Sequence, residues 1–220
     1  MFFKSYSKSR CVNRCELFND KSSIVYWEDR KPTNDEVDVL DFLNIIDSNN
    51  IKILHVGVGG SYIAKNLKKF NLIHGITISS NEVFHAEQLN IKNYNCFFLN
   101  KHNKNPFSAI LHNDYDFIID VNLKSFSCCQ QSFDHLFLNY VKILNNNGQI
   151  LSGKKGMNWT GSLKPVIRFS FKKFFYKKLK EFPGKKSNIL TIDECHKLAN
   201  KFSLNFIEEE KTNLVRFVKS

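Results

Sequence analysis

From Ile51 onward the chain alternates short apolar runs with amphipathic stretches, and this alternation constrains the fold more than any other feature of the sequence. "IKILHV" reads as a buried strand, "GVGGS" as a turn, and "YIAKNLKKF" as a helix with Ile63, Leu67 and Phe70 inward. The order repeats with "LIHGITIS" and "SNEVFHAEQLN", then the strand "YNCFFLN". "YDFIIDV" follows as a fourth strand, "QQSFDHLFLNYVKILN" as a helix, and "NGQILSG" as a fifth strand entered at a glycine turn. Strands and helices of these lengths in alternation imply right-handed βαβ units and a parallel sheet. The end of the chain breaks the pattern. "TIDECHKLANKF" is a helix with a Thr cap, and "LNFIEEEK" and "LVRFVKS" form a hairpin around Thr212 and Asn213, so the sheet ends antiparallel.

Ahead of this region, residues 1 to 35 are polar and irregular, with a short strand signal at "SSIVYW". "NDEVDVLDFLNIIDS" then places Val37, Leu40, Leu43 and Ile46 at helical spacing behind a cap at Asn34. With 220 residues, 42% of them hydrophobic, the chain has enough apolar surface for one well-packed domain. No run of 18 uncharged apolar residues predicts a membrane span, and "MFFKSYSKSR" lacks the apolar stretch of a secretory signal. Six cysteines, two of them adjacent at Cys128 and Cys129, do not suit a disulfide scaffold, and the expected location is cytoplasmic. Cys11 and Cys15 have no second pair of ligands, so no metal is expected.

The formal charge of +11 raises nucleic acid as a partner, but its distribution weakens that inference. Lys164 to Lys186 holds nine Lys or Arg against one Glu, so most of the excess is local. Within it, "VIRFSFKKFFYKKLKEF" has Ile167, Phe171, Phe174 or Phe175, Leu179 and Phe182 along one helical face, with lysines largely on the other. This suits a surface helix, a lid over an anionic acceptor, an RNA-contacting face or a membrane-surface helix.

A glycine turn between a parallel strand and a helix brings backbone N–H groups close to a ligand. The dinucleotide fingerprint is absent, because Tyr62 stands where its third glycine would fall and the second strand ends in Thr77, not an acid. A phosphate-binding P-loop is absent too. "ILHVGVGGS", "HGITISSNE", "YDFIIDVNL" and "LNNNGQIL" together resemble four motifs of the class I S-adenosylmethionine-dependent methyltransferases, over roughly Ile51 to Ser220. The resemblance implies an α/β fold with a doubly wound, mostly parallel seven-stranded sheet and a C-terminal antiparallel hairpin. It implies S-adenosyl-L-methionine as cofactor and S-adenosyl-L-homocysteine as product. It divides the domain into an N-terminal segment and helix on the substrate side or as a cap (1–48), a cofactor-binding core (49–153), the basic-aromatic insert (154–186) and the C-terminal helix and hairpin (187–220).

The chain departs from the family at two places where an acid is usual, His55 in the first motif and Thr77 at the end of the second strand. "GITISSNE" resembles the variant of cyclopropane-fatty-acid-synthase-like members, in which a polar residue five positions after the threonine reaches the ribose. Glu82 holds that place here, and a carboxylate there accepts hydrogen bonds from both hydroxyls. By the same matching the cofactor-binding residues are His55, Gly57, Val58, Gly59, Ser61, Thr77, Ile78, Glu82, Asn100 and Asp120. Gly57, Val58 and Gly59 approach with backbone, Ile78 packs on adenine or ribose, and Asn100 offers its amide to the adenine edge. Asp120 lies near the amino group and the sulfonium. Methyl transfer is served largely by positioning, with a base only where the acceptor must lose a proton. Asp120 is the expected base, ahead of His102 in the loop after the third strand and His135 in a helix. The expected acceptor is an O or N nucleophile on a small molecule, anionic in one version, such as a sugar or a biosynthetic intermediate. The competing readings are a non-catalytic scaffold of the same fold, supported by His55 and Thr77, and an RNA-modifying enzyme, supported by the local charge.

Overall fold

The computed structural model describes residues 31–46, 50–103, 114–127, 130–157 and 189–220. The strand expected at "SSIVYW", the cysteine pairs 11/15 and 128/129, and the amphipathic stretch from Val166 to Phe182 lie outside these residues.

Seven strands form one sheet: β1 (Lys52–Val56), β2 (Leu72–Thr77), β3 (Tyr94–Phe98), β4 (Tyr115–Ile119), β5 (Leu144–Gly153), β6 (Leu204–Glu208) and β7 (Leu214–Lys219). Their spatial order is β3-β2-β1-β4-β5-β7-β6. The first five pair in parallel, whereas β7 runs antiparallel between β5 and β6. This is the mostly parallel sheet with a closing hairpin that the sequence pattern predicts. The strand order reverses between β1 and β4, which opens a crevice at their carboxyl ends.

Both faces of the sheet are covered, which is why its strands read as near-continuous apolar runs. On one face Leu54, Val56, Ile76 and Ile150 pack with Phe133, Phe137 and Tyr140 of α4 (Gln130–Ile143) and with Leu198 of α6 (Ile192–Lys201). On the other, Ile53, Ile73, Ile119 and Leu151 pack with Val39 and Leu43 of α1 (Asn34–Ile45), Ile63 of α2 (Tyr62–Asn66) and Ala86 of α3 (Ser80–Gln88). A short helix, α5 (Lys154–Met157), follows β5 directly.

Several boundaries differ from the sequence expectation, three of them with a visible physical reason. The cap of α1 is Thr33, not Asn34, because Thr33 Oγ1 accepts from the Glu36 backbone N–H (3.2 Å) while the Glu36 carboxylate accepts from the Thr33 N–H (2.7 Å). Helix α2 stops at Asn66 instead of reaching Phe70. The Asn66 side chain donates to the Tyr62 carbonyl, and the Lys68 N–H goes to Asn44 of α1 in place of a helical carbonyl. Strand β5 begins at Leu144, ahead of the glycine turn, with an irregular register opposite Tyr115 and Phe117.

Two aspartates one turn apart fasten α1 to the last third of the chain. Asp35 Oδ2 accepts from the Gly156 N–H of α5 (2.8 Å), and Asp38 Oδ2 accepts from the Asn213 N–H in the β6–β7 connection (2.7 Å). A helix that precedes β1 is thereby held over the carboxyl end of the sheet. Among the described residues no helix is long and apolar enough to cross a membrane.

Candidate functional site

The crevice at the carboxyl ends of β1, β2 and β4 deepens into a cavity of about 590 Å³, a size suited to a small-molecule ligand. Its floor is Val56 to Gly59, Ile76 to Ser79, Leu99 to His102 and Asp120 to Asn122, omitting Val58. Thr33, Asp35 and Glu36 from the first turn of α1 form one wall with Lys155 and Gly156 of α5, and Ser125 and Phe126 come from the loop after β4.

Of the residues expected to bind a cofactor, Gly57, Gly59, Thr77, Ile78, Glu82, Asn100 and Asp120 all line this cavity. Gly57 has φ +74°, and a Cβ built on it meets no protein atom within 4 Å. A side chain there would be strained and would project into the open crevice, so glycine keeps the floor accessible. The Gly57 N–H itself is bonded to the Ile76 carbonyl (2.8 Å) and serves the turn. Glu82 is buried in the first turn of α3, where the Thr77 hydroxyl donates to its Oε2. Thr77 Oγ1 in turn accepts from the Ser79 N–H (3.2 Å). The threonine at the strand end thus orients the carboxylate five residues later. Asn100 uses its side-chain oxygen to accept from the His102 N–H (2.9 Å).

His55, Val58 and Ser61 lie away from the cavity. His55 shares the strand face of Ile53, opposite to Leu54 and Val56, and is enclosed there, with no partner for Nδ1 among the described residues. Val58 folds under the turn, its Cγ1 only 2.6 Å from where a Cβ on Gly75 would sit. Ser61, the N-cap of α2 with φ +59°, hydrogen-bonds through Oγ to the Tyr94 hydroxyl (2.8 Å) and ties the turn to β3. All three shape the turn from behind.

Asp120 takes a different part from the free base expected of it. Lys101 Nζ donates to both of its oxygens (3.1 and 2.8 Å), and Tyr140 donates to Oδ2 (2.9 Å). The same ammonium reaches the carbonyls of Asn122 (2.9 Å) and Leu123 (3.2 Å) and Ser125 Oγ (3.3 Å). Burial and the neighbouring Asp120 carboxylate push the Tyr140 phenol well above its usual range, so it stays a donor. Asp120 is therefore the anion of a buried ion pair, and proton abstraction by it would strip Lys101 of its partner.

His102 lines the cavity as a neutral imidazole. Burial, reinforced by the Lys101 charge, lowers its pKa to about 3. Its Nε2 donates to the Ser125 carbonyl (3.0 Å), which leaves Nδ1 to accept from Ser132 Oγ (3.4 Å). His135 sits on α4 outside the cavity lining. His55 is neutral as well, its pKa lowered by burial to about 4. Both folded values lie below the unfolded value near 6.5, so the stability they support is complete above that pH and is lost as pH falls. Urea denaturation at pH 7.5 and 5.5 should show a loss of about 1.4 kcal/mol per histidine, and His55→Leu should remove its share.

The sequence places the helix that becomes α1 on the substrate side, but gives no sign of α5 or of the residues that join the two into a wall. Asp35 is buried beside the cavity with Oδ2 on Gly156, and burial raises its pKa above the usual carboxylate value. Phe126 holds φ +59°, a left-handed conformation that a bulky residue rarely adopts outside strained functional loops. The capping box T-x-x-E at Thr33 to Glu36 was the one available signal for the start of this wall. Among the described residues, no three His, Cys, Asp or Glu side chains group as metal ligands.

No protein-family model and no curated protein sequence matches the chain. Solved structures do. The N-methyltransferase NodS from Bradyrhizobium japonicum WM9, in complex with S-adenosyl-L-homocysteine, is similar at 14% identity and TM-score 0.55 over 93% of this chain and 94% of that one. Magnesium protoporphyrin IX methyltransferase (ChlM) from Synechocystis PCC 6803, with the same molecule bound, is similar at 15% identity and TM-score 0.55 over 84% and 82% of the two chains. A TehB-like S-adenosylmethionine-dependent methyltransferase from Corynebacterium glutamicum gives 13% identity and TM-score 0.52 over 84% and 88%. With the strand order, the glycine turn and the closing hairpin, these likenesses identify the architecture: the chain has the fold of the class I S-adenosylmethionine-dependent methyltransferases.

Proposed function

We propose that the protein is an S-adenosyl-L-methionine-dependent methyltransferase that transfers a methyl group to an O or N nucleophile of a small-molecule acceptor. The observation that carries this reading is the pairing of the glycine floor with a buried, Thr77-oriented Glu82 in one cavity. Glycine 57 leaves room where a side chain would intrude, and Glu82 provides the carboxylate acceptor that a ribose diol requires. Ile78 and Leu99 add apolar surface for an adenine ring, and Asn100 lies beside them. The donor set fits the cofactor.

S-adenosylmethionine supplies a methyl group already activated on a sulfonium. What remains for this chain is orientation and charge. Asp120, beside the glycine turn at the end of the cavity where β1 and β4 meet, is neutralised by Lys101 and serves there as part of a fixed polar wall. The wall formed by α1 and α5 bounds the space left for an acceptor, with Asp35, Glu36 and Lys155 offering polar contacts. The best-placed titratable groups, Asp120 and His102, are both bonded to protein partners. We therefore assign the rate to alignment of the acceptor rather than to a base on the enzyme. The solved neighbours are named for different substrates, so the small-molecule class is argued from the bounded cavity.

Calorimetric titration with S-adenosylhomocysteine, with NADH as control, tests the reading. Wild-type protein should bind the former in the micromolar range and show no heat with the latter. Glu82→Ala should weaken binding about tenfold to a hundredfold, the value of charge-assisted hydrogen bonds to the ribose. A folded wild-type protein that takes up no S-adenosylhomocysteine would favour the scaffold reading.

A further inference from the structure

Lys101 and Asp120 form a buried ion pair in the lining of the cavity. Among the described residues four carboxylates line the cavity: Asp35, Glu36, Glu82 and Asp120. Glu36 closes the α1 cap on Thr33, Glu82 is bound by Thr77 at the end of β2, and Asp35, on the opposite wall, holds the Gly156 N–H with Oδ2 and leaves Oδ1 without a partner among the described residues. Asp120 is the carboxylate next to the glycine turn, since Ile119 stands opposite His55 in the β1–β4 register. An S-adenosyl amino acid carries its α-ammonium a few bonds from the sulfur, so in a site centred on that turn Asp120 is the natural partner for it.

Lys101 already answers that carboxylate. Its ammonium bridges both Asp120 oxygens and is surrounded by two carbonyls and a hydroxyl of the loop after β4, a full set of acceptors for a primary ammonium. Both side chains are buried, at 9% and 2% exposure, so water does not compete for the pair. We propose that Lys101 is a built-in counter-ion for Asp120, and that the cavity consequently recognises S-adenosyl ligands through adenosine and sulfur and not through their α-ammonium group. The inference rests on the S-adenosyl reading of the site and goes beyond it by naming the part of the ligand to which the chain is indifferent.

Two ligands and one variant test it: S-adenosylhomocysteine, its desamino analogue with hydrogen in place of the α-amino group, and Lys101→Met. Wild-type protein should bind both ligands with dissociation constants within about tenfold of each other, since one charge-assisted contact is worth at least that factor. In Lys101→Met, whose folding is checked by circular dichroism, Asp120 passes to the ligand's ammonium and the preference for S-adenosylhomocysteine should widen beyond tenfold. A wild-type preference greater than tenfold overturns the proposal. So does a folded variant whose preference is unchanged. If the variant does not fold, the wild-type ratio decides alone. Failure of both ligands and of adenosine to bind the wild type overturns the S-adenosyl reading itself, and this inference with it.

Discussion

Replacing Asp120 with alanine is expected to destabilise the protein by about 3–5 kcal/mol, because it leaves the Lys101 ammonium buried without its carboxylate. That is a large part of the roughly 5–15 kcal/mol by which domains of this kind are stable. Tyr140 would lose its acceptor at the same time, in the middle of the α4 face of the core. The double variant Asp120→Leu with Lys101→Met should recover most of the loss, since two apolar groups in place of a buried pair are often tolerated. Urea denaturation of the three proteins checks this. A cost below about 1 kcal/mol for Asp120→Ala would be the value of a solvated pair and would mean that Lys101 reaches water once released.

The second large effect is expected at Gly156. A Cβ built there falls 1.7 Å from the Val121 carbonyl oxygen and 2.7 Å from its carbonyl carbon, so the obstruction is backbone. No rotamer relieves it. Gly156→Ala must push α5 away from the loop after β4, break the hydrogen bond from Gly156 N–H to Asp35, and loosen the α1 wall. The expected cost exceeds about 4 kcal/mol, in the range reserved for strain and broken buried networks. Thermal unfolding followed by circular dichroism reads it directly. A variant that melts within a few degrees of wild type would refute the close packing of α5 on Val121.

How much of this was legible in the sequence depends on the range of the interaction concerned. The sheet was legible because Ile53, Leu54 and Val56, or Phe117, Ile118 and Ile119, are adjacent apolar residues that water exclusion alone commits to a covered strand. The place of Glu82 in the cavity lining was legible through the resemblance carried by "GITISSNE", whereas its bond to Thr77, five residues away, comes from the structure. The α1 cap was off by one residue because Asn34 and Thr33 are both good caps, and only the reciprocal bond with Glu36 selects between them. His55 was named with the cofactor-binding residues by position in the motif alone, and it does not line the cavity because strand alternation sets it opposite Leu54 and Val56. Lys101 offered no pattern at all. In a run of Asn, Lys and His its default is a solvated loop, and its partners Asp120 and Ser125 stand 19 and 24 residues further on. The bond that fastens α1 beside the cavity was hidden for the same reason, because it spans 121 residues.

The two aspartate clasps of α1 carry a consequence for the order of events in folding. Asp35 and Asp38 meet Gly156 and Asn213 across 121 and 175 residues, so these contacts close some of the longest loops in the chain. Loop closure of that span is slow relative to local helix and strand pairing. The floor of the cavity, from β1 through β4, has the contacts to assemble earlier, whereas its wall waits for the hairpin between β6 and β7. A ribosome-bound chain that has not yet released Asn213 would possess the glycine turn and Glu82 but lack a fastened wall. A complete cavity is then acquired only when α1 has met α5 and the β6–β7 connection.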